Sequence, residues 1–185
     1  AFSRTGDVED SVNAIPSLCE QRARDAVRKL DEGKARNADQ PGWLGGLPIC
    51  IKDLTPVAGV RTTYCTLGYK DHIPEKSTPL VSRLESRGGI ILGKTNSPEM
   101  GAGGNTFNDV FGYTRNPWDT RKNAGGSSGG AAVSLDGSTP YVGRCWSYNF
   151  NSQKSWAVHF VPQDRCGDLL CQGRGQDGDS SGGNT

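Results

Sequence analysis

The chain is poor in long apolar runs, and no stretch approaches the roughly 18 residues needed to cross a membrane. It also lacks an excess of either charge. Lys and Arg number 21 against 20 Asp and Glu, a formal net charge of +1. With no basic cluster either, neither nucleic acid nor a membrane surface is expected as a partner. Metal ligands are scarce in the same way. The six cysteines (Cys19, Cys50, Cys65, Cys145, Cys166 and Cys171) form no CxxC pair, and the histidines are only two, His72 and His159. No zinc spacing can be assembled from them, and neither a metal nor a cofactor is expected. Nothing marks the chain as a small disulfide scaffold, so the cysteines read as reduced thiols and the location as cytoplasmic. The first residue is Ala1, not Met, which leaves the true start open.

What is present, up to about residue 135, is an orderly alternation of apolar clusters and turn signals. Residues 20–32 predict a helix, with Ala23, Ala26, Val27 and Leu30 on one stripe at helical spacing. Residues 47–51 form an apolar run of buried-strand type, entered through Gly45-Gly46. Ser77-Thr78-Pro79 carries a helix start, with a hydroxyl to cap it and a proline in the first turn before Leu80, Val81 and Leu84. Gly88-Gly89 ends that helix, and Arg83 and Arg87 lie where its C-terminal dipole favours cations. Ile90-Ile91-Leu92 follows as a second buried strand. Strand, helix, strand predicts parallel pairing through a right-handed crossover. The fold class is therefore α/β, a partial mixed sheet flanked by helices. Residues 1–140 form the ordered part. Residues 141–185 read as an unmatched, irregular or disordered tail in which 156–161 is the one strand-like run.

Three glycine patterns compete for attention. Gly88 to Thr95 satisfies the phosphate-loop template formally, but apolar Ile90, Ile91 and Leu92 stand where small flexible residues should cradle phosphate. A nucleotide-binding reading is set aside on that ground. Gly101-Ala102-Gly103-Gly104 reads as a plain turn. Gly125-Gly126-Ser127-Ser128-Gly129-Gly130 is either a flexible linker or an active-site loop, since it runs straight into Ala131, Ala132, Val133 and Leu135, a compact helix start. Lys52 closes the apolar run 47–51 and is followed by Asp53. The plain reading is a surface lysine. The sharper one uses the rule that the C-terminal ends of parallel strands gather sites, where a desolvated lysine can act as a neutral base.

With the pieces between them, these two segments resemble the amidase signature family. The matching motifs run in order: Gly46-Leu-Pro-Ile-Cys-Ile-Lys52-Asp53, Val57-Ala-Gly-Val-Arg-Thr-Thr63 and Leu92-Gly-Lys-Thr-Asn-Ser-Pro-Glu99. Then follow Asn105-Thr-Phe-Asn108, Phe111-Gly-Tyr-Thr-Arg-Asn-Pro-Trp-Asp119 and the Gly125–Gly130 loop, while Val12-Asn-Ala-Ile-Pro16 is similar to the family's N-terminal helical region. The likeness covers about residues 10–140, and Lys52 and Ser127 stand 75 residues apart, as in the family. It implies a hydrolase of carboxamide C–N bonds with a Ser-Ser-Lys triad and a small-molecule amide as its partner. Lys52 would be the base, and Ser127, after a cis bond from Gly126, the proton relay. The family's nucleophile belongs about two dozen residues past Ser127, in a Gly-Gly-Ser. Here that position is Asn151, and neighbouring Ser147 and Ser152 lack the glycines of an oxyanion loop. The expectation is an inactive part of an amidase, lacking its nucleophile. The alternative is a truncated, non-catalytic paralogue that works as a binding module. The sequence does not give the oligomeric state.

Overall fold

A computed structural model describes residues 2–34, 41–135, 147–151 and 155–159. Helix α1 (Phe2–Val12) leads through a short, largely buried turn into the short strand β1 (Ser17–Leu18), and α2 (Glu20–Lys29) follows at once. The α helix ends at Val12, so 13–16 is the turn and not part of a helical region. Ala23 is buried and Ala26 and Leu30 pack against the core, but Val27 is 42% exposed, so the predicted stripe is narrower than its spacing implies.

Strand β2 (Pro48–Lys52), helix α3 (Pro79–Ser86) and strand β3 (Ile90–Thr95) form the predicted crossover unit, with β2 parallel to β3. β1 pairs antiparallel with the other edge of β3, giving a mixed sheet in the order β1-β3-β2. Thr78 is the N-cap of α3, but no side chain caps the helix; Ser77 Oγ instead accepts from the amide of Ala58. At the other end Gly88 takes φ +80°, and a side chain there would run into the Trp43 ring. Glycine therefore ends α3 for both conformational and packing reasons.

Pleating splits the core in two. Cys50, Ile90 and Leu92 pack with Val12, Ala14, Ile15, Ala23 and Val133 on one face; Ile49, Ile51 and Ile91 pack with Val57 and Val81 on the other. After β3 the chain makes two small antiparallel pairs, β4 (Phe107–Asn108) with β5 (Gly112–Tyr113) and β6 (Arg115–Asn116) with β7 (Asp119–Asn123). Helix α4 (Gly129–Leu135) then returns to the sheet. In the tail, β8 (Ser147–Asn151) and β9 (Ser155–His159) pair antiparallel; the rest of 141–185 lies outside the described residues. Among the described residues no helix is long and apolar enough to cross a membrane.

Candidate active site

Strand alternation decides where Lys52 points. Ile49 and Ile51 face the α3 side, so Cys50 and Lys52 face the side on which α4 packs. The seat of α4 depends on one small residue. A Cβ on Gly130 would lie 2.5 Å from the amide nitrogen of Asn96 and 2.6 Å from the carbonyl oxygen of Ala14. Only glycine allows the helix start to come this close, and that approach carries the preceding serines to the end of β2. Lys52 Nζ donates to Ser127 Oγ at 3.2 Å and to Ser128 Oγ at 2.9 Å. The Gly126–Ser127 peptide is cis. A second set of bonds holds the loop from behind. The Gly129 amide donates to Thr106 Oγ1 (2.9 Å), and Asn123 Oδ1 accepts from the amides of Thr106 (3.1 Å) and Gly125 (2.9 Å).

Lys52 is 3% exposed. Burial pulls its ammonium down to about 8, against a smaller opposing influence from the Cys65 thiol, which burial pushes up to about 11. A lysine so placed is largely cationic at pH 7 yet carries a usable neutral fraction. Behind it sits a polar network with no solvent contact. Asp53 Oδ2 accepts from the Thr63 amide (2.9 Å), the Thr63 hydroxyl (2.6 Å) and the Cys65 amide (3.4 Å). These bonds hold a turn in which Tyr64 and Cys65 both take positive φ, +52° and +57°. Lys94 Nζ lies 3.4 Å from Asp53 Oδ1 and donates to Thr62 Oγ1 at 2.7 Å.

The structure therefore brings together the two residues singled out from the sequence, Lys52 and Ser127. Ser128 also reaches Lys52. Thr106, Asn123, Lys94 and Asp53 complete the surroundings, and no sequence pattern named them for that purpose. For Lys94 a signal existed: like Lys52, it continues an apolar run. The phosphate-loop match ends inside β3, where Lys94 is fully buried, so it forms no phosphate cradle. Among the described residues no group of three or more His, Cys, Asp or Glu could hold a metal ion. Ser147 opens β8, Asn151 closes it, and Ser152 lies outside the described residues.

A buried lysine at the C-terminal end of a parallel strand, bonded to two serines of a glycine loop, makes a serine–lysine cluster on an α/β scaffold. The chain belongs to the amidase family, whose sequence model, Amidase, matches residues 1–139. It is 39% identical over 134 residues to a glutamyl-tRNA(Gln) amidotransferase subunit from Alkaliphilus metalliredigens, a match that covers 72% of this chain and 27% of that protein. A solved amidase shares 34% identity at a TM-score of 0.64, over 75% of this chain and 31% of its own. A bacterial aryl acylamidase of the amidase signature family shares 28% at a TM-score of 0.64, over 75% and 29%. The chain thus spans about a quarter of the length of the curated relatives it matches.

Proposed function

We propose that this chain carries the proton-transfer half of a carboxamide-hydrolysing site, with Lys52 as base and Ser127 as relay, and that it lacks the attacking serine. The observation that carries this is the 3.2 Å contact between the Lys52 amine and the Ser127 hydroxyl, made by a buried lysine. In the complete reaction a neutral Lys52 takes the Ser127 proton while Ser127 takes one from the attacking serine, whose oxygen bonds to the amide carbon. Collapse of the tetrahedral species breaks the C–N bond, the relay returns a proton to the leaving amine, and water later releases the acyl group. An amidase and an aryl acylamidase among the similar structures favour a small carboxamide as substrate.

The sequence contains one Gly-Gly-Ser, at Gly125-Gly126-Ser127, and that serine is the relay. Among the described residues no second such loop sets an attacking oxygen against oxyanion donors; losing one donor alone typically lowers rate by about 10²–10³. The purified chain is therefore expected to resist labelling by a serine-directed fluorophosphonate. Stoichiometric labelling that disappears in both Lys52→Ala and Ser127→Ala would overturn the inactive-half reading and make Ser127 itself the nucleophile.

A further inference from the structure

Two lysines and one carboxylate meet at the ends of β2 and β3, and the carboxylate goes to the lysine that does not touch the serines. Asp53 and Lys94 are both fully buried, at 0% side-chain exposure, with Nζ and Oδ1 3.4 Å apart. A shift in strand register produces this choice. Between Ile49 and Cys50 the β2–β3 pairing slips by one residue, so that Lys94 stands opposite Ile51 instead of Lys52. Lys94 thereby shares the α3 face with Ile51 and Asp53, while Lys52 faces the serines. Among the described residues Lys52 makes no ion pair; its polar partners are the two hydroxyls.

We propose that Lys94 is a positioning residue for charge: by occupying Asp53 inside the fold, it denies Lys52 a carboxylate and leaves the Lys52 amine free to take a proton from the serines. This rests on the reading of Lys52 as base. The groups that bear on the balance can be named. Lys52 faces Cys65; Asp53 faces Lys94 and Cys65, whose Sγ lies 3.8 Å from Oδ2; Lys94 also faces Cys19, beyond which lie Arg22 and Glu85. Both thiols are raised by burial, so neither supplies an anion to replace Asp53. A buried pair that loses one member strands the other's charge, which then acts on the nearest titratable neighbour. For Asp53 without Lys94 the titratable neighbours are Cys65, 3.8 Å from Oδ2 and held as a neutral thiol, and Lys52, the adjacent residue along the chain, which can answer with a positive charge.

The test is the titration of Lys52, followed by NMR of the ε-carbon in lysine-labelled chain and assigned with Lys52→Arg. Lys94→Met is expected to raise the Lys52 pKa by about one unit or more, a tenfold loss of neutral amine at a given pH. Asp53→Asn strands a cation and is expected to shift it the other way. It decides the matter by itself if Lys94→Met does not fold. The double variant is expected to restore the parent value. A purely structural role moves both single variants in the same direction or leaves Lys52 unmoved; either result, or a double variant that fails to restore, overturns the proposal. Fluorophosphonate labelling of the parent would overturn the inactive-half reading and leave this comparison standing.

Discussion

At the scale of single residues, Lys52 makes the fold less stable at neutral pH. Its folded pKa of about 8 lies below the unfolded value of 10.5. Below pH 8 both states hold the proton and the fold bears the full penalty of a buried cation. Between pH 8 and 10.5 only the unfolded chain holds it, so stability rises with pH through that window. Lys52→Met is therefore expected to raise stability at pH 7 by roughly 2 kcal/mol, after allowing for the two lost hydrogen bonds. The gain should shrink toward pH 10. Urea denaturation at pH 7 and pH 9.5 checks this, and a Lys52→Met chain less stable than the parent at pH 7 would contradict it. The sequence shows Lys52 only as the residue after an apolar run. Its meaning comes from the strand-end rule and from the family likeness, whereas Lys94 looks the same in sequence and acquires a different neighbour through a one-residue slip in register.

At the scale of elements, α4 can seat the serines only because Gly130 carries no side chain. Gly130→Ala is expected to destabilise the chain by about 2 kcal/mol or more, because the clashing atoms are backbone and cannot swing aside. The control is Gly6→Ala inside α1, where a Cβ meets nothing within 4 Å. There a helix-propensity gain of about 0.5–1 kcal/mol is expected. Equal effects of the two substitutions in denaturant titrations would rule out this basis for the seating of α4. Helix α1 carries a pH dependence of its own. Glu9 Oε1 accepts from the Ile15 amide at 2.6 Å, and burial, the larger influence, raises the carboxyl from 4.5 to about 6. A raised acid contributes stability below pH 4.5 that is lost as pH rises through about 6. Glu9→Gln should accordingly stabilise the chain at pH 7.5 and have little effect near pH 4, as read from thermal melts at the two pH values. Apolar runs and turn signals are enough to reveal β2, α3 and β3. They cannot reveal β1, since two residues make no run, nor the cap of α3, where Ser77 serves a loop amide instead of the helix.

At the scale of the whole molecule, the sheet order β1-β3-β2 depends on contacts that no local pattern encodes. Asn13 Nδ2 donates to the Phe111 carbonyl, Thr114 Oγ1 donates to the Asn13 carbonyl, and the Asn96 amide donates to the Ala14 carbonyl. These bonds join the start of the chain to segments about 80–100 residues away and build a polar interior that hydrophobic patterning passes over. The mixed α/β character was legible because parallel β2 and β3 are apolar on both faces. The pairing of β8 with β9 was not, because the alternation of Tyr148 and Phe150 with polar residues spans only five positions and does not name a partner strand. The central claim is that folding places Lys52 out of water and against Ser127, so that its amine can act as a base. The direct measurement is a pH titration of the Lys52 ε-carbon in the unaltered chain. An inflection near pH 8 is the predicted result, and one above pH 10, the value of a solvated lysine, would contradict the claim.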